Sequence, residues 1–98
     1  MNKGLNLISL AQKAGKVKTG EYLSVKALKE GIASLLIIAE DTSDKSKERI
    51  KYMCNMFSCP CVVFGTKALL GHFTGKKEKS VICLTDDGFK EAFLKIVE

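Results

Sequence analysis

The chain has 98 residues, 46% of them hydrophobic, which suits one globular domain with a real core and excludes a disordered chain or a pair of domains. Its formal net charge is +5, its isoelectric point is near 9.1, and all of its basic residues but Arg49 are lysines. That balance admits RNA, DNA or another anionic partner without requiring one. No run approaches the ~20 apolar residues of a membrane span, and the start is too polar after Leu10 for a signal peptide. A cytoplasmic protein with no membrane partner is expected.

In chain order, Asn2 to Ala14 reads as a helix. Leu7, Leu10, Ala11 and Ala14 recur at i, i+3, i+4, i+7, Leu5 and Ile8 widen the stripe, and Gly15 can end it. Lys16 to Thr19 is short, alternating and polar, as an edge strand would be. A second helix, started at Thr19 or Gly20, runs from about Glu21 to Glu30. At about 100° per residue Leu23, Val25, Ala27 and Leu28 share one arc, and Tyr22, Lys26, Lys29 and Glu30 share the other, so its outer face is basic. Gly31 is a natural left-handed stop. Ser34 to Ala39, SLLIIA, is too short for an ordinary helix and suits a strand covered on both faces.

Glu40 to Asp44 clusters capping residues ahead of a helix reaching about Phe57, with Ile50, Met53, Cys54 and Phe57 facing inward. Ser58-Cys59-Pro60 breaks it, and Cys61 to Phe64 is the next strand. Gly65 to Gly75 reads as a short helix capped by Thr66 and ended by Gly71, followed by a loop. Lys76 to Lys79 reads as a solvated charge run. Ser80 to Leu84 is a strand, and Thr85 or Asp86 caps a last helix whose stripe is Phe89, Ala92, Phe93, Ile96 and Val97. Such alternation argues an α/β fold, a three-layer α/β/α sandwich with four strands in a mixed sheet.

Four cysteines stand at 54, 59, 61 and 83, in the spacing C-x4-C-x-C and then a long gap. The paired C-x2-C knuckles of a zinc site are absent, so no metal and no cofactor is expected. The thiols read as reduced, buried small hydrophobes, with Cys59 the one expected to be exposed and oxidisable. Glu40 and Asp41 end a buried strand, where α/β folds often bind ligands. They read first as caps of the following helix. His72, the only histidine, has no nucleophile tied to it by spacing, and there is no phosphate-loop signature. A phosphate-ester enzyme built on Glu40, Asp41 and the Gly20 helix start lacks its nucleophile and base. Three segments lie at strand ends that such a sandwich can bring together: Thr19 to Lys26, Glu40-Asp41, and Thr66 to Gly75. They offer free backbone N–H groups, lysines at 18, 26 and 67, and apolar Leu70 and Phe73. Lysines make salt-sensitive phosphate contacts, and apolar loop residues pack on splayed-out bases.

These segments resemble the L-seven-Ae / L-thirty-e family of ribosomal proteins, the kink-turn RNA-binding fold, and within it the short bacterial branch of YlxQ-like proteins. The matching pieces are Gly20 and Lys26 in G-x5-K, the helix end Lys26 to Gly31, and Ser34 to Asp41. Cys59-Pro60-Cys61 matches the turn into a strand, and Thr66-Lys67-x-x-Leu70-Gly71-x-x-x-Gly75 matches the signature loop. The resemblance covers nearly the whole chain in the same order. It implies a non-enzymatic, ribosome-associated protein whose partner is structured RNA, ribosomal or another kink-turn RNA. The helix start at Gly20 would enter the major groove at the kink, Lys26 would neutralise a phosphate, and Lys18, Thr19, Glu21 and Tyr22 are counted with them as RNA-binding residues. Glu40 and the loop Leu70-Gly71-His72-Phe73-Thr74 would flank the bulged nucleotides, with Asp41 and Lys67 counted among the RNA-binding residues.

Departures are visible too. The family pattern Gly-x-Asn-Glu-x-x-Lys has Tyr22 and Leu23 at its Asn-Glu pair here, and Glu21 stands two positions early. His72 follows Leu-Gly where the family has arginine. Backbone and lysine contacts survive these changes while base-specific ones weaken, which leaves a protein-interaction adaptor on the same fold as the alternative.

Overall fold

The computed structural model describes residues 2–97. Nine elements follow one another: α1 Lys3–Lys13, β1 Val17–Thr19, α2 Glu21–Lys29, β2 Leu35–Ile38, α3 Asp44–Met56, β3 Cys61–Val63, α4 Lys67–Phe73, β4 Val81–Leu84 and α5 Asp87–Val97. The four strands form one mixed sheet in the order β1-β4-β2-β3. β2 runs parallel to β3 and antiparallel to β4, and β1 pairs antiparallel with β4.

Every residue of β2 and of β4 is buried, because each strand is covered on both faces. Successive side chains of a strand alternate between faces. Leu35, Ile37, Ala39, Ile82 and Leu84 therefore join Leu5, Ile8, Ala11, Leu70 and Phe93 on one side of the sheet. Leu36, Ile38, Val81 and Cys83 join Ala27, Leu28, Ile50 and Cys54 on the other. Thus α1, α4 and α5 form one outer layer and α2 and α3 the other, giving the expected α/β/α sandwich.

Several details correct the sequence reading. Leu10 is 56% exposed and Phe57, Ile96 and Val97 also lie at the surface, since the apolar stripes are broader than the sheet faces they cover. In α2 the inward residues are Ser24, Ala27 and Leu28, while Leu23 is 39% exposed. Gly71 does not end the fourth helix. It is a buried interior residue of α4, which runs on to Phe73 with Thr74 as its C-cap. The cap of α3 is Ser43, whose hydroxyl accepts from the Ser46 N–H at 3.2 Å. Glu40 and Asp41 do not cap it. Asp86 caps α5 by accepting the Phe89 N–H at 2.9 Å.

All four cysteines are free thiols. Cys54 of α3 lies in the core with Cys59 and Cys83, and Cys61 packs against them. Cys59, expected at the surface, is only 9% exposed, and Cys61 is the more accessible. Burial pushes the Cys83 thiol up to about 12 and raises Cys54 and Cys59 in the same direction. Among the described residues no helix is long and apolar enough to cross a membrane. No group of cysteine, histidine or carboxylate side chains among them is arranged to hold a metal ion.

Candidate nucleic-acid interface

The pairing of Thr19 with Ile82, Ile38 with Val81 and Ile38 with Val63 brings the ends of β1, β2 and β3 and the start of β4 to one rim of the sheet. On this rim α2 begins. Its N-cap, Gly20, has φ +89° and ψ 164°, and no side chain caps the helix. Only glycine enters that backbone region without strain. Its own N–H donates to the Val81 carbonyl at 2.9 Å, which fixes the turn to the sheet. The Ser24 N–H is the first to bond back, to the Gly20 carbonyl at 3.0 Å. The N–H groups of Glu21, Tyr22 and Leu23 ahead of it belong to the unsatisfied first turn of any helix. They face outward at its positive end.

Lysines surround this start. Lys18 and Lys26 line one small hollow of about 80 Å³ together with Leu23, Ala27, Glu30 and Ile32. Lys79 lies directly over the glycine: a Cβ built on Gly20 would meet its Nζ at 3.8 Å and its Cδ at 3.9 Å. Lys79 also ties this corner to α4, donating its backbone N–H to the Lys67 carbonyl at 3.1 Å. The sequence shows Lys79 only as the end of a charge run, and Lys76, Lys77 and Glu78 are indeed exposed. Strand pairing is what carries Lys79 to Gly20.

The end of β2 enters the rim differently from expectation. Thr66 is the N-cap of α4, as expected, and Asp41 assists it: its Oδ1 accepts the Lys67 N–H at 2.8 Å, so Asp41 serves the start of α4 rather than that of α3. The Glu40 N–H donates to the Gly65 carbonyl, and its own carbonyl accepts from Lys47 Nζ at 2.7 Å. The two acidic residues thus brace α4 against the sheet while the Glu40 side chain stands exposed.

The segment from Leu70 to Thr74 is not a loop. Leu70, Gly71 and Thr74 are buried, and the Thr74 hydroxyl donates to the Leu70 carbonyl at 2.7 Å. A Cβ on Gly71 would collide with the backbone of Lys77 and Glu78. This close approach lets the chain after α4 turn back and deliver Lys79 to the rim. His72, Phe73 and Thr74 line a separate hollow of about 410 Å³ with Ser9, Gln12 and Lys13 of α1. The exposed large apolar residue of α4 is Leu69, not Leu70.

Glu21, the first residue of α2, is held by Arg49 of α3 through two 2.8 Å bonds, from Nε to one carboxylate oxygen and from Nη2 to the other. The hydrogen bond from Arg49 keeps the Glu21 carboxyl below the usual carboxylate range. Nothing in the sequence marks this pair, which joins two helices far apart in the chain. Tyr22 next to it is 79% exposed.

An α/β/α domain with a bare glycine-capped helix start set among lysines belongs to a recognisable class. Residues 2–94 match the Ribosomal protein L7Ae/L30e/S12e/Gadd45 family, and the chain is a member of it. It is 30% identical over 92 residues to the RNA-binding protein YlxQ of Bacillus subtilis (strain 168), covering 94% of this chain and 92% of that one. Among solved structures it is similar to a Bacillus halodurans C protein of unknown function, with a TM-score of 0.93 and 32% identity over 99% of this chain and 98% of that one. It also resembles the Giardia lamblia 15.5kD RNA binding protein, with a TM-score of 0.78 and 26% identity over 95% and 80% of the two chains.

Proposed function

We propose that this protein is a non-enzymatic RNA-binding protein, ribosome-associated, that recognises kink-turn-like structured RNA through the start of α2 and the neighbouring α4 segment. The observation that carries this reading is the Gly20 cap, bare of a side chain, with Lys79 resting against it. A glycine there lets backbone N–H groups approach a phosphate or an exposed base edge closely, and the helix dipole favours the negative charge. Family membership and relatives described as RNA-binding proteins support it.

In this reading Lys18, Lys26, Lys67 and Lys79 contact phosphates, while Thr19, Gly20, Glu21 and Tyr22 form the entering edge. Leu70, Gly71 and Thr74 act from beneath by fixing α4, and the exposed Asp41 holds its first turn from the rim. Glu40, His72 and Phe73 border the outer part of the surface.

The test is a titration against a kink-turn RNA and a straight duplex of equal length at two salt concentrations. Kink-selective binding is expected. Lys26→Ala and Lys79→Ala should each lower affinity for every RNA ligand and reduce the salt slope by about 1. Equal, weak binding to both RNAs that vanishes as salt rises would refute kink recognition. The exposed Tyr22 and Leu23, where the family pattern has Asn-Glu, favour a second reading as a protein-interaction adaptor. A partner captured in pull-down despite nuclease and high salt is the result that reading requires.

A further inference from the structure

The outer flank of α2 carries a groove that shares Glu21, Tyr22 and Lys26 with the helix-start surface and extends it along the helix to Val25 and Lys29. It is about 530 Å³ in volume and is lined by Glu21, Tyr22, Val25, Lys26 and Lys29. Counted from Tyr22, these side chains recur at i+3, i+4 and i+7, one stripe along the helix. The stripe begins with an exposed aromatic ring, continues through an aliphatic wall and carries two ammonium groups a turn apart. Its single carboxylate, Glu21, has both oxygens engaged by Arg49. The groove therefore offers an anionic ligand two free cations, with its one negative charge already paired.

An aromatic face beside spaced lysines is the arrangement that binds unpaired nucleotides: the base stacks on the ring and the phosphates meet the cations. The bases inside a duplex have both faces covered and cannot stack in this way, so the groove selects single strand. We propose that this groove holds an unpaired nucleotide adjoining the structured RNA, its base stacked on Tyr22 and its flanking phosphates against Lys26 and Lys29. The proposal rests on the RNA-binding reading above and adds a single-stranded element to what the protein recognises. Tyr22 then reads as a replacement: where the family pattern has an asparagine, this chain has a stacking platform.

Tyr22 and Tyr52 are the only tyrosines and there is no tryptophan, so Tyr52→Phe makes Tyr22 the sole emitter. That protein is titrated at low salt with an oligoadenylate hexamer and with a blunt duplex. The hexamer should quench the emission and the duplex should not. By affinity, Tyr22→Ala should lose about tenfold for the hexamer and Tyr22→Phe should retain binding, as stacking requires. Lys29→Ala should lower the salt slope by about 1. A kink-turn RNA with an unpaired tail should bind tighter than its blunt form to the wild type, and no tighter to Tyr22→Ala. Absent quenching overturns the proposal. So does equal loss in Tyr22→Phe and Tyr22→Ala, or quenching by polyglutamate at the same concentration. Failure to bind kink-turn RNA while the hexamer still quenches Tyr22 removes the kink-turn reading and leaves the groove standing.

Discussion

Replacing Gly20 by alanine isolates what the helix start demands of the backbone. At φ +89° and ψ 164° the residue occupies a region that is essentially glycine's alone, and a side chain held there is strained by ~1–3 kcal/mol. Space is not the obstacle. The added Cβ would meet nothing closer than Lys79 Nζ at 3.8 Å, an ordinary van der Waals distance. The whole penalty is therefore conformational. With about 2 kcal/mol lost and a shift of ~4–8 °C per kcal/mol in a domain of this size, Tm should fall by about 8–16 °C. Thermal unfolding followed by circular dichroism measures it. Gly31→Asn is the control: Gly31 has φ +75° with nothing within 4 Å of its Cβ position, and asparagine is tolerated after a helix end. It should shift Tm by less than half as much. RNA affinity of the folded fraction should also drop, more for Gly20→Val than for Gly20→Ala, as bulk grows at the point of approach. A Gly20→Ala protein melting within about 2 °C of wild type would refute the strained cap, and with it the close backbone approach.

Gly71→Ala should destabilise by ~1–3 kcal/mol or more, since the methyl collides with backbone that has to move, and it should weaken RNA binding by displacing Lys79. A urea midpoint unchanged from wild type would contradict that packing. Ser24→Ala should stabilise by ~0.5–1 kcal/mol, because the buried Ser24 hydroxyl has no hydrogen-bond partner and alanine is the better helix former; a loss of stability would show that the hydroxyl is satisfied. Asp41→Ala should cost about 1 kcal/mol as a lost cap, read by the same denaturation. Alkaline pH should also destabilise. Buried Cys83 titrates at about 12, and Cys54 and Cys59 are raised as well, whereas unfolded thiols ionise near ~8.5. Between pH ~9 and ~12 the native state holds more protons than the unfolded one, so stability falls as pH rises through that window. Urea midpoints at pH 8, 9.5 and 10.5 should decline, and Cys83→Ala should flatten the trend.

The central strand was legible because burial on both faces leaves a continuous apolar run, Leu35 to Ala39, that no other element explains. The glycines were only half legible. Gly15, Gly20 and Gly31 have positive φ, as a stop or start signal implies. Gly71 is glycine for another reason, the approach of the Lys77 backbone, and that reason exists only in three dimensions. Reading it as a stop turned the end of α4 into a loop and made Leu70, rather than Leu69, the surface residue. In α2 the apolar arc was broad enough that a small rotation exchanged Leu23 for Ser24, and nothing in the structure explains a hydroxyl at that buried place. Lys79, Arg49 and the Asp41 cap were invisible for a common cause. Each acts on a residue distant in the chain, and local periodicity carries no information about such pairs.

The hydrogen bond from Gly20 to Val81 and the pairing of β1 with β4 have a consequence for the timing of synthesis. Chains emerge N-terminus first, so the stretch around Gly20 is made early but stays without its sheet partner until β4 has left the ribosome. The loop that must close spans most of the chain, and its entropy has to be overcome before any contact repays it. Until then neither the glycine cap nor the lysine over it has a fixed place. Binding competence therefore arrives late and all at once, and a chain truncated before Val81 would have no formed surface to offer a ligand.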